Sequence, residues 1–87
     1  MLKRSNNKYS FVKENISVNV RKYRKSRKMT QEELAEKADI SYDFMRRIES
    51  SYGKCGFSVI TLYKLAEALG VGMDDLARES NKNYNEE

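Results

Sequence analysis

The sequence predicts an all-α fold of five helices. Three observations carry that expectation. The 87 residues contain no proline and only four glycines, too few turn residues for a sandwich of many short strands. Apolar side chains recur at helical spacing in five segments. Capping residues stand in front of four of those segments: Ser10, Thr30, Ser41 and Ser58. The one stretch that resembles a strand is ISVNV, at positions 16–20. It is read as helix because Ile16, Val20 and Tyr23 continue the stripe that Val12 begins.

The first helix is expected over about residues 11–27, with Ser10 as its cap. Thr30-Gln31-Glu32-Glu33 is a capping box: the Thr30 hydroxyl accepts from the N–H of Glu33, whose carboxylate reaches back to the N–H of Thr30. A second helix therefore starts there, with Leu34, Ala35 and Ala38 facing inward. Asp39 tolerates a left-handed conformation and ends it. Ser41 caps a third helix over about 42–50, with Asp43 in the first turn, where the helix dipole favours a carboxylate. SSYGKCG follows as a loop. Ser58 caps a fourth helix whose Val59, Leu62, Leu65, Ala66 and Leu69 form an apolar stripe that ends at Gly70. A short fifth helix, Met73 to Ala77, carries Leu76. The folded domain is expected over 11–77, between a basic flexible arm at 1–10 and a polar flexible tail at 78–87.

A chain of this length buries roughly 60% of its unfolded surface, which allows one small domain. Charged residues make up 34% of it and apolar ones 39%, and it has no histidine and one cysteine, Cys55. A Ser-His-Asp triad, a Cys-His pair and a zinc finger cannot be built from that set, so neither an enzyme nor a metal or cofactor is expected. No apolar run approaches a membrane span, and the first residues lack the apolar block of a signal peptide, so a cytoplasmic protein is expected. The net charge of +4 is unevenly spread. Residues 1–30 hold ten basic side chains and only Glu14, a local +9, whereas residues 31–87 hold seven basic and twelve acidic ones, a local −5. A basic end of this kind suits a polyanion, because several cations replace condensed counterions at once; a solvated basic face is the alternative.

Within the unit Gln31–Ser50, apolar residues fall at Leu34, Ala38, Ile40, Met45 and Ile48, with the small Ala35 inside the second helix. This pattern resembles the helix-turn-helix of the phage repressor and Cro type. VRKYRKSRKMTQEELAEKADIS resembles that family's first helix leading into its second, and SVITLYKLAEALGVGMDDL its fourth and fifth, so the likeness covers about residues 14–77. The resemblance implies a repressor-like domain in which the second helix crosses the DNA backbone and the third, the recognition helix, enters the major groove.

Geometry gives a separate indication of which face would read DNA. With Tyr42 at zero, Arg46, Asp43 and Arg47 fall at ~40°, ~100° and ~140°, while Met45 and Ile48 fall at ~300° and ~240°. Burying the last two obliges the other four to face outward, and Phe44, at ~200°, is expected at the core edge. Arg46 and Arg47 are the main candidates for contact with base edges, because a guanidinium donates two bonds to guanine O6 and N7; phosphate contact is the alternative for either. Tyr42 and Asp43 match base-reading positions by resemblance; Asp43 as acceptor from a cytosine amine competes with its plain role at a helix start. The resemblance also implies phosphate contact by Thr30 and Gln31 and a structural ion pair of Arg24 with Glu49. Ser41, Ser50 and Lys54 complete the expected DNA-binding set, the last two against phosphates. Arg21, Lys22, Lys25, Arg27 and Lys28 are expected to be solvated or to face phosphate. Two departures from the family are visible: Asp39 stands where glycine is usual, and the loop is about two residues long in excess.

The expected function is sequence-specific binding of double-stranded DNA, with an inverted-repeat site and a homodimer as the expected assembly. Val71, Met73 and Leu76 are the candidates for its interface, with ordinary core burial as the alternative for each. An antitoxin-like or other protein-interaction module with a possible protein partner is the alternative, since one fold serves both uses. No membrane partner is expected, because the core needs the apolar stripe of the first helix.

Overall fold

A computed structural model describes residues 10–50, 56 and 58–79. Among these it contains five helices and no strand: α1 (Ser10–Ser26), α2 (Gln31–Ala38), α3 (Tyr42–Ser50), α4 (Val59–Leu69) and α5 (Met73–Ala77). The boundaries follow the expected caps, except that Ser10 is the first residue of α1 rather than its cap. The expected arm at residues 1–9 and most of the expected tail, 80–87, lie outside the described residues, as do Cys55 and Lys54.

Three helices stop in the same way. Lys28 and Asp39, both with φ of 59°, and Gly70, with φ of 73°, follow α1, α2 and α4 in the left-handed region. In each case the next residue bonds five positions back: Met29 N–H to Arg24 O at 3.1 Å, Ile40 N–H to Ala35 O at 3.0 Å and Val71 N–H to Ala66 O at 3.0 Å. Those paired bonds satisfy carbonyls the helix end would orphan. Only Gly70 adopts the conformation without a Cβ penalty; Lys28 has no side-chain chemistry that favours it.

The core is built from one face of every helix. Ile16 and Val20 of α1, Leu34, Ala35 and Ala38 of α2, Met45 and Ile48 of α3, Leu65, Ala66, Ala68 and Leu69 of α4, and Leu76 of α5 are buried together. Full burial of each larger side chain contributes about 1.5–3 kcal/mol of transfer free energy. Phe44 packs half-buried against this core, as its position on the helix predicts.

Polar side chains share the buried face of α1, a feature the apolar stripe does not reveal. Asn19 Nδ2 donates to Leu76 O and Arg78 O, each at 2.8 Å, and Asn15 Nδ2 reaches Ala77 O at 3.4 Å. These amides satisfy carbonyls at the end of α5, a five-residue helix too short to stand alone. Arg78, expected in the tail, is therefore part of the fold; its guanidinium also pairs with Asp74 at 3.2 Å and Asp75 at 3.0 Å.

Two expectations about apolar surface are corrected. Val59 does not join the inward stripe of α4: it is 69% exposed, and Ile60 and Tyr63 beside it are 64% and 53% exposed. On a helical projection Val59 lies ~20° from Ala66, so it keeps the register of the stripe but stands exposed at the start of α4, whereas Ile60 lies ~180° from Leu69 and faces away from the core. Leu76 is completely buried and can form no interface; Val71 and Met73 are partly buried against the core.

Candidate nucleic-acid interface

The turn between α2 and α3 sets the site. The capping box of α2 is complete, with Glu33 N–H donating to Thr30 Oγ1 at 3.0 Å and Thr30 N–H to Glu33 Oε1 at 2.8 Å. After Asp39, the chain passes Ile40 and re-enters helix at Tyr42, where Ser41 Oγ accepts from Phe44 N–H at 3.0 Å. Lys64 of α4 braces this turn from outside: its ammonium donates to Asp39 O at 3.3 Å and lies 3.7 Å from the Asp39 carboxylate.

The inner face of α3 is fixed at several points. Met45 and Ile48 are wholly buried. Arg24 of α1 grips Glu49 with two bonds, Nε to Oε2 at 2.6 Å and Nη2 to Oε1 at 3.0 Å, in a pair that solvent barely reaches. The same guanidinium donates from Nη1 to Met29 O at 2.8 Å, and Gln31 Nε2 donates to Glu49 Oε1 at 2.9 Å. Two turns further back along α1, the Ser17 hydroxyl donates to the carbonyl of Ile48. Three donors on a buried carboxylate replace much of its lost hydration, which makes the pair tolerable in the interior.

The outer face carries Tyr42, Asp43, Arg46 and Arg47, all exposed. Arg46 lies over the Tyr42 ring at 5.6 Å and Arg47 over the Phe44 ring at 5.6 Å, distances at which a guanidinium is attracted to a ring face. Asp43, with its side chain 70% exposed, sits within ion-pair reach of both: 3.9 Å from Arg46 Nη1 and 3.6 Å from Arg47 Nε. Ser41 and Ser50 are exposed at the two ends of α3, and Thr30 is exposed before α2. Gln31 differs from the others. It is half-buried, and its amide is spent on Glu49, so what it can offer a phosphate is its backbone N–H at the helix start. The carboxylates of Glu32 and Glu33 occupy the same first turn.

The basic residues of α1 divide by role. Arg27 is exposed, in keeping with a solvated or phosphate-facing residue, yet it also lies 5.1 Å from the Tyr23 ring centroid and its Nε donates to Leu69 O at 2.9 Å, closing the end of α4. No signal in the sequence marks that bond, which spans 42 positions. Arg21, Lys25 and Lys28 are exposed.

Among the described residues no group of histidine, cysteine or carboxylate side chains is arranged to hold a metal, and no helix is long and apolar enough to cross a membrane. A family model described as helix-turn-helix matches residues 20–76. No curated protein matches the sequence significantly. Among solved structures, a hypothetical transcription factor from Neisseria is similar, with a TM-score of 0.75 and 20% identity over 95% of this chain and 93% of that one. At that identity the likeness is one of fold.

Proposed function

Because the chain belongs to the Cro/C1-type helix-turn-helix family, we propose that it is a transcriptional regulator that binds double-stranded DNA in a sequence-specific way, with α3 in the major groove. The observation that carries the reading is the split of α3 into two faces. Met45, Ile48 and Glu49 are held inside, and Tyr42, Asp43, Arg46 and Arg47 stand outside as a set of donors, acceptor and rings on a rigid helix. Arg47 and Arg46 donate to guanine edges in this reading. The Thr30 hydroxyl, the Gln31 backbone N–H, Ser41, Ser50 and Lys54 meet phosphates, which fix register without reading sequence.

The assembly we propose on DNA is a pair of identical chains joined through Val59, Ile60 and Tyr63. That patch contains no charge, so two copies of a chain with net charge +4 can meet there without opposing like charges. Its area is small. Three such side chains offer on the order of 300 Å², against about 800 Å² per partner in a stable interface, so the pair forms on DNA and is weak in free solution.

Selection of bound fragments from random duplexes tests both statements. The expected result is an inverted repeat with half-sites one DNA turn apart, ~34 Å. Recovery of fragments with no common sequence rejects specific readout. Ile60→Asp is expected to abolish cooperative filling of the two half-sites while leaving half-site affinity intact; unchanged cooperativity places the interface elsewhere.

A further inference from the structure

Asp43 is the one acid on the outer face of α3, and its place there is not explained by helix stability alone. A single carboxylate is shared between two guanidiniums, 3.6 Å from Arg47 Nε through Oδ2 and 3.9 Å from Arg46 Nη1 through Oδ1. These separations are those of loose ion pairs rather than hydrogen bonds. Each guanidinium also lies over a ring, Arg46 over Tyr42 and Arg47 over Phe44. Each is therefore held from two directions, by a ring face and by the common carboxylate. Turning the Nε edge of Arg47 toward Asp43 leaves its two terminal nitrogens for the acceptors of a guanine. The same carboxylate reduces the charge available to any phosphate: two guanidiniums less one carboxylate leave +1 on this face.

We infer that Asp43 is a specificity-determining residue that acts through Arg46 and Arg47, aiming them at base edges and lowering the affinity of the face for DNA of arbitrary sequence. The inference rests on the DNA-binding reading above and deepens it. Random DNA is held by phosphate neutralisation, so a carboxylate at the centre of the contact weakens it directly. A matched guanine makes directional bonds to the terminal nitrogens and leaves the Nε edge with Asp43, so the matched site loses far less. Discrimination here comes from a repulsive element as well as from attractive ones.

The experiment compares the full chain with Asp43→Asn and Asp43→Glu on two probes, the duplex enriched by selection and a scrambled duplex of the same composition, across a salt series. Asp43→Asn keeps the shape and removes the charge, and a thermal melt matching that of the original chain confirms that it folds. The expected result is scrambled-duplex binding about 3- to 10-fold tighter, with a log–log salt slope steeper by about one, while the enriched duplex changes by about twofold or less. Asp43→Glu restores the original ratio. Unchanged binding and slope on the scrambled duplex overturn the inference. So does a loss confined to the enriched duplex that disappears when one cytosine is replaced, which assigns Asp43 to direct acceptance from that base. If the original chain retains no duplex of any sequence, the DNA-binding reading falls and this inference with it; if it binds and Asp43→Asn binds identically, only the inference falls.

Discussion

The two faces of α3 use charge in opposite ways. Inside, Arg24 and Glu49 meet at 2.6 Å with almost no solvent, and Gln31 and Met29 O add a further bond to each partner. Outside, Asp43, Arg46 and Arg47 stand 3.6 to 3.9 Å apart in water. The buried pair is short, well partnered and costly to break; the exposed set is looser, shared and open to solvent. Charge that must hold a helix in place is sequestered, and the charge on the outer face is left accessible.

Breaking the inner face has the largest expected effect. Arg24→Ala strands the Glu49 carboxylate and is expected to cost about 3–5 kcal/mol in urea denaturation. The double change Arg24→Met with Glu49→Leu sharpens the contrast: stability is expected to return to near the original, because two apolar groups replace a pair that had to be desolvated. Ile48→Ala comes next, at about 2–5 kcal/mol of stability by the same measurement, since it opens a cavity in the core where α3 packs on α1 and α2. On the outer face the readout changes from folding to binding. Arg47→Ala is expected to leave stability within about 0.5 kcal/mol and to weaken the enriched duplex by about 1–3 kcal/mol, with a much smaller loss on scrambled DNA; equal losses on both assign Arg47 to phosphate. The smallest effect lies away from both faces. Lys28→Gly relieves a left-handed lysine at the end of α1 and is expected to raise stability by about 0.5 kcal/mol, the relief being offset in part by the freer unfolded chain. It also weakens enriched and scrambled duplexes alike if Lys28 meets a phosphate.

The helices and the two faces of α3 were legible because they depend on neighbours in sequence. Thr30, Ser41 and Ser58 each cap three residues ahead, and Met45 and Ile48 define an inward direction that leaves Tyr42, Asp43, Arg46 and Arg47 no choice. What was not legible depends on residues far along the chain. Asn15 and Asn19 read as polar gaps in a stripe, and only the arrival of α5 more than fifty positions later makes them interior. Arg27 looks like its solvated neighbours until α4 places Leu69 O beside it. Val59 keeps helical register with the core residues of α4, yet periodicity cannot say how far along a helix the covering neighbours extend. For Leu76 the sequence leaves interface and core both open, because its isolation in a short polar helix hides the neighbours that bury it.

The amides of Asn15 and Asn19 also impose an order of events. While the chain is being synthesised, α1 emerges with two carboxamides aimed at carbonyls that do not yet exist, 56 to 62 residues downstream. Until residue 78 is free to fold those groups must bond to water, so α1 meets α3 and α4 through Ile16, Val20, Ser17 and Arg24 with two of its buried amides still unpaired within the protein. The helix α3 takes its support from α1, through Ser17 and Arg24. A nascent chain therefore completes the support of α3 only when α5 folds back on α1.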